Sequence, residues 1–236
     1  MESRLRGLHE RSSSRRSREA AIWATMSAVS PSILLSRRTF LGAGMFGTAG
    51  LSVPASATQA GLAQAASGVS PILVNRALLA LARHHSAFWS HDMVAIADFS
   101  LPSAVPRFHL IDLLAGRTTT LLVAHGKGSD PEHTGYLQSF SNEFGSNATS
   151  EGAYVTGESY VGVHGPSRRL LGLEGTNGFA ELRAIVIHSA WYVGDEIVAS
   201  QGRLGRSDGC FVFSPADIGL VLARLGRGRL LYAGKG

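Results

Sequence analysis

From residue 71 onward the apolar positions follow two rhythms. Ile72, Leu73, Ala77, Leu78, Leu81 and Phe88 recur at roughly helical spacing, and Ser70-Pro71 supplies an N-cap and a first helical residue. One amphipathic helix is therefore predicted over 72–87. His84 and His85 fall in its last turn, where imidazoles suit the helix dipole. The period then shortens to that of strands. Segments 93–99, 107–114 and 118–124 read as an antiparallel meander, with Phe108 and Leu110 alternating against His109 and Asp112 and a turn at Ala115-Gly116. Further strands are predicted at 153–163, 168–173, 183–187 and 230–232, and a short helix at 195–200. Ser214-Pro215-Ala216-Asp217 has the composition of a helix start, and Gly226 that of its stop. The fold class expected is mainly β with flanking helices, an α+β domain built on a mixed sheet. Between the strands, residues 130–152 are polar and irregular, too long for an idle connection, and are expected either to be functional or to form a wall of a cleft.

Ahead of residue 71 neither rhythm holds. Residues 1–25 are rich in Arg and Ser without apolar period and read as disordered, and Met26 is a plausible true start. Ser36-Arg37-Arg38-Thr39-Phe40-Leu41 fits the twin-arginine export pattern, and an uncharged, mildly apolar stretch follows over 41–53. Ala55-Ser56-Ala57 then offers a small-residue cleavage site, with Ala63-Gln64-Ala65 as a second candidate. The apolar stretch is too short to span a membrane, and no later segment is long enough. The organisation expected is a disordered n-region plus signal peptide over 1–57, a flexible linker over 58–70 and one folded domain over 71–236. The location expected is the periplasm or cell envelope.

The formal charge of +5 suggests nucleic acid until it is located. Residues 1–57 hold eight Arg and three Glu, and the remainder holds fourteen basic and fourteen acidic side chains. The folded part is balanced, so a nucleic-acid partner is not expected.

The candidate chemistry centres on GRSDGCFVF at 205–213, which holds Cys210, the single cysteine of the chain. One cysteine cannot form an intramolecular disulfide, and an unpaired thiol in an oxidising compartment needs a reason. A lone cysteine is also often a small buried hydrophobe, and Phe211, Val212 and Phe213 would suit that reading. His188 lies 22 residues upstream at the end of the apolar run AIVIHSAWYV. A thiol beside Gly209 with a histidine on a nearby strand is a minimal kit for nucleophilic acyl transfer, since the imidazole can take the thiol proton. The glycine turn can aim backbone N–H groups of Gly209 and Cys210 at a developing oxyanion. The histidines lack short ligand spacing and no phosphate loop is present, so neither metal nor cofactor is expected.

His188 followed by Ser207-Asp208-Gly209-Cys210 resembles the signature of the YkuD-like L,D-transpeptidases, cysteine enzymes of peptidoglycan. HGKGSD at 125–130, SNEFGS at 141–146, TSEGAY at 149–154 and HGPSRRLLGLEGTN at 164–177 extend the resemblance to the murein L,D-transpeptidase catalytic domain subgroup over roughly 72–233. The resemblance implies a β-rich mixed-sheet fold and thiolate attack on a stem-peptide carbonyl, with release of D-alanine and a thioester at Cys210. An amine would resolve it to a 3→3 cross-link; water would make the enzyme an L,D-carboxypeptidase. A third reading is a cell-wall binding protein that has lost turnover. By resemblance Cys210 is the nucleophile, His188 the base, the Ser189 carbonyl its orienter, and Ser207 a shaper of the loop. Arg206, Asp208, Trp191, His125 and His164 are candidates to meet substrate, with Arg168, Arg169 and Lys127 as other possible carboxylate partners. Two departures stand out: Asp208 replaces a frequent histidine and would oppose thiolate formation unless it turns away or pairs with Arg206, and Val212 replaces a substrate-handling residue.

Overall fold

The computed structural model describes residues 61–236. Helix α1 runs Pro71–Arg83, and a short 3-10 turn follows at His85–Ala87. Eight strands come next: β1 Met93–Asp98, β2 Phe108–Asp112, β3 Arg117–Leu121, β4 Gly152–Gly162, β5 Gly165–Gly172, β6 Val186–Ser189, β7 Phe211–Phe213 and β8 Leu230–Gly234. Helix α2, Asp195–Gln201, lies between β6 and β7, and α3, Ile218–Arg224, between β7 and β8. The domain is mainly β with a few helices, as the pattern predicts.

All eight strands join one mixed sheet in the order β3-β2-β1-β8-β4-β5-β6-β7. The β1/β8 and β6/β7 pairs are parallel and the others antiparallel. Beyond β3 the chain returns to the far edge, where Ala124 bridges Val212 of β7, so the sheet curls nearly into a barrel. This closure covers the backbone of an edge strand that would otherwise be unpaired.

Alternation sorts side chains between two cores. In β1, Ala95 and Ala97 face the interior with Phe99, Phe108, Leu110, Ile187, Phe211 and Phe213. Val94 and Ile96 face outward against Leu73, Val74, Ala77 and Leu81 of α1. A strand apolar at every position is buried on both faces, which is why 93–99 shows no polar alternation. A third cluster, Leu122, Ala124, Val193, Leu204 and Val212, packs beside α2 and touches Cys210.

Three expectations change. The linker expected over 58–70 is ordered in its described part: residues 61–65 make a helical turn, Leu62 is fully buried, and Ala65, Ala66 and Val69 join it against the outer sheet face. Thr118 Oγ1 donates to the Ala65 carbonyl at 2.6 Å. Small apolar residues without a period can still fill a groove that a neighbouring helix leaves. Helix α1 stops at Arg83, with non-helical backbone at His84, rather than continuing to 87. Ser214 and Asp217 exchange the hydrogen bonds expected of a cap, at 2.7 and 3.0 Å, but as a turn ahead of α3. The twin-arginine pattern and the Ala55-Ser56-Ala57 site lie outside the described residues. No helix among the described residues is long and apolar enough to cross a membrane.

Candidate active site

The parallel pairing of β6 with β7 sets the site. Ile187 is in register with Phe211 and His188 with Val212. Ile187, Phe211 and Phe213 turn into the barrel, so His188, Val212 and, by alternation, Cys210 share its outer face. The nucleophile candidate therefore stands diagonally beside the base candidate, on adjacent strands.

Three backbone segments crowd together to present Cys210. Ser207 N donates to the His125 carbonyl and Lys127 N to the Ser207 carbonyl, at 2.9 and 2.7 Å, which lays the 205–210 turn along the HGKG segment. The Ser207 hydroxyl donates to the Cys210 carbonyl at 2.8 Å and accepts from Gly209 N at 3.2 Å. Gly209 holds φ of +117°, and a Cβ there would lie 2.7 Å from the Ala148 carbonyl oxygen. Gly126 has an ordinary backbone but no room for a side chain, since a Cβ there would collide with the Asn147 carbonyl. Glycine at these positions is what allows the 146–149 loop to pass against the nucleophile turn.

The half-buried Cys210 thiol donates to the Ala184 carbonyl at 3.5 Å. Ala184 has φ of +54°, a left-handed backbone uncommon for a residue with a Cβ and frequent at functional sites. Burial pushes the thiol up to about 11. The backbone amide of Val186 lowers it, the Asp208 carboxylate raises it, and the Arg183 guanidinium lowers it.

His188 is buried, and its Nδ1 meets the Ser189 carbonyl at 3.0 Å. A carbonyl can only accept, so Nδ1 carries the proton and Nε2 keeps its lone pair for the thiol. Burial moves His188 below its ordinary value, the Ser189 carbonyl opposes that shift, and His164 adds to it. His164 comes from the β4–β5 turn, and its ring stacks on His188 with centroids 4.3 Å apart and planes 19° from parallel. Burial thus favours the neutral form of both groups.

The structure brings together Cys210, His188, Ser189, Ser207, Gly209 and His164. It places other expected residues elsewhere. Gly209 N–H is taken by Ser207 Oγ and does not face an oxyanion, which leaves the Cys210 amide as the candidate. Arg206 donates to the carbonyls of Asp130 and Pro131, so its guanidinium is tied to the loop rather than offered to substrate. Asp208 is exposed and pairs with Lys127 at 2.7 Å, not with Arg206. His125 does not line the cleft: it is buried, with Nδ1 accepting from Arg107 at 2.7 Å and Nε2 3.5 Å from Asp130. Trp191 is 74% exposed and edges onto Tyr192, a ring on the surface past His188. Arg168 donates to the carbonyls of Gly157 and Leu222, and Arg169 lies over Tyr160.

Sequence reasoning missed Arg183. Its guanidinium donates to the carbonyls of Ser141 and Ala148 and to the hydroxyls of Ser146 and Ser150, at 2.6 to 3.0 Å. The 130–152 loop is held by it and by Asp130, whose carboxylate accepts from Thr134 and Gly135. An arginine at the head of an apolar strand carries no local sign of partners more than thirty residues earlier.

A thiol, an oriented imidazole and a glycine turn thus stand together on the rim of a curled mixed sheet. Residues 65–233 match the L,D-transpeptidase catalytic domain family, and the chain belongs to that family. Solved structures it resembles include an L,D-transpeptidase from Mycobacterium smegmatis, at 14% identity and a TM-score of 0.37, covering 61% of this chain and 58% of that one. An L,D-transpeptidase from Mycobacterium tuberculosis H37Rv shows 15% identity and a TM-score of 0.36, with 61% and 58% covered. The helical cell shape determining protein Pgp2 from Campylobacter jejuni shows 14% identity and a TM-score of 0.38, with 63% and 49% covered. The chain spans less than two thirds of the length of each of these structures. No curated protein matches.

Proposed function

We propose that the protein is an exported cysteine acyltransferase acting on peptidoglycan stem peptides. The observation that carries this reading is the bond of His188 Nδ1 to the Ser189 carbonyl, which leaves Nε2 uncommitted on a residue that the strand register sets diagonally from Cys210, in a chain of the L,D-transpeptidase family. As Sγ attacks the carbonyl of the third stem residue, His188 Nε2 takes the thiol proton and the carbonyl oxygen becomes an oxyanion, met by the Cys210 amide. Collapse breaks the C–N bond, and His188 returns the proton to the departing D-alanine amine. The product is a thioester at Cys210. An acceptor amine loses a proton to His188 and attacks the thioester; an amide forms and the thiol is restored. Water in place of the amine gives a shortened stem. The Ser36–Leu41 pattern and the small-residue site after it support export by the twin-arginine route to the periplasm or cell envelope.

The test is mass spectrometry of products from the full chain and a disaccharide tetrapeptide, beside Cys210→Ala. A Cys210-dependent dimer lacking one D-alanine supports the cross-linking enzyme. A Cys210-dependent tripeptide without dimer supports the L,D-carboxypeptidase instead. Identical spectra for the two folded proteins would exclude both and leave a binding protein.

A further inference from the structure

The thiol has a difficulty that the family signature does not resolve. Burial and Asp208 both oppose its ionisation, and the base beside it is itself held neutral. Something must offset that bias when charge gathers on sulfur.

Arg183 stands directly before Ala184, whose carbonyl takes the Cys210 thiol. From the other side, its guanidinium donates at 2.6 Å to the Ala148 carbonyl, the oxygen that would meet a Cβ on Gly209. It is thus linked to the nucleophile turn by two short routes. Its four acceptors are neutral, two carbonyls and two hydroxyls, and among the described residues no carboxylate hydrogen-bonds to it. A half-buried cation hydrogen-bonded only to neutral groups keeps more of its field than one paired directly with a carboxylate.

We propose that Arg183 is a positioning residue that supports the Cys210 thiolate with its positive charge while it fastens the 141–150 loop behind Gly209. The inference rests on Cys210 being the nucleophile. The other titratable and charged groups around the sulfur do not fill this role. Tyr154 and Tyr192 are held in their neutral forms by burial. His188 is the neutral base. Asp208 is countered by Lys127 at the exposed rim. Glu143 acts on Arg183 from a distance, without a hydrogen bond between them.

The experiment is the pH dependence of Cys210 alkylation by iodoacetamide in the full chain, which needs no peptidoglycan substrate. Arg183→Lys keeps the charge but cannot reach all four acceptors; Arg183→Gln keeps a hydrogen-bonding group and loses the charge. In the Gln variant the alkylation midpoint should rise by about one pH unit or more, a roughly tenfold slower reaction at pH 8. The Lys variant should lose thermal stability yet hold its midpoint near that of the wild type. Should the Gln variant not fold, Ser146→Asp places a carboxylate on the Arg183 fork in situ and should raise the midpoint likewise. An unmoved midpoint in the uncharged or neutralised variant, or equal shifts in Lys and Gln, would overturn the proposal and reduce Arg183 to a structural staple. A wild type that yields no peptidoglycan product, with the midpoints as expected, would sink the acyl-transfer reading; the effect of Arg183 on thiol ionisation would stand, and its catalytic purpose would fall with that reading.

Discussion

Two buried histidines at strand ends, His125 and His188, show what separates structural polarity from reactive polarity. His125 sits in a closed node. Arg107, fully buried, donates to its Nδ1 and to the carbonyls of Leu101 and Val123, while Asp130 lies at its other nitrogen with its own carboxylate filled by Thr134 and Gly135. Burial and the Arg107 charge hold His125 down to about 3, and burial holds Arg107 down to about 9. His188 sits in an open node. One nitrogen is fixed by Ser189, the other makes no hydrogen bond, and the strand register sets the ring diagonally from Cys210. Its exposed neighbour His164 covers it by stacking rather than by bonding. Each ring thus commits one nitrogen, and the two differ in what surrounds the rest: His125 Nε2 makes no hydrogen bond and is sealed 3.5 Å from the Asp130 carboxylate, whereas the His188 ring is covered by the exposed His164.

The comparison can be broken from the open side first. His188→Ala should lower Cys210-dependent turnover by roughly 10²–10⁴-fold while the melting temperature stays near that of the wild type, since one face of the ring already meets only a surface residue. Product mass spectrometry and a thermal melt on the same sample check both halves. From the closed side, Arg107→Met should cost about 3–5 kcal/mol in urea unfolding, because it leaves Asp130 and the His125 ring buried without their cation. Residual turnover per folded molecule should then remain close to wild type. Equal stability of the two proteins would contradict the closed-node reading.

A smaller effect follows from pH. His125 has a folded value of about 3 against an ordinary 6.5, so below pH 6.5 the unfolded chain binds a proton that the native chain refuses. Its stability contribution is complete above pH 6.5 and is lost as pH falls toward 3, at up to about 1.4 kcal/mol per pH unit. His109 and His188 are lowered too and act in the same direction. His125→Asn should flatten the slope of unfolding free energy against pH across that window, and an unchanged slope would refute the assignment. The smallest effect is expected at Trp191→Ala, whose exposed ring should leave stability within about 0.5 kcal/mol in the same unfolding assay.

How much of this was legible in the sequence depends on how far each partner lies along the chain. The strands and helices were readable because burial imposes period, and the meander of β1 to β3 has near-neighbour pairing. Cys210, Ser207 and Gly209 were readable because a turn of four residues contains its own hydrogen bonds. His188 was readable by type and spacing. The bonds of Arg206 to Asp130 and Pro131, the Lys127 partner of Asp208 and the closure of His125 were not, since loops brought from distant positions decide them. The same holds for Leu62, one apolar residue in a featureless stretch whose burial depends on the groove beside α1. Asp208 illustrates the consequence: an acid beside Cys210 looked unfavourable in isolation, and the fold sets it on the surface against Lys127.

The central claim is that Cys210 carries the acyl group, and the intact mass of the protein tests it most directly. After brief incubation of the full chain with a disaccharide tetrapeptide and rapid acid quench, the account predicts an adduct equal to the substrate less D-alanine. The adduct should map to Cys210, be absent in Cys210→Ala and be released by hydroxylamine as a thioester is. An unmodified Cys210 in a sample that turns the same substrate over would contradict the account and place the chemistry elsewhere.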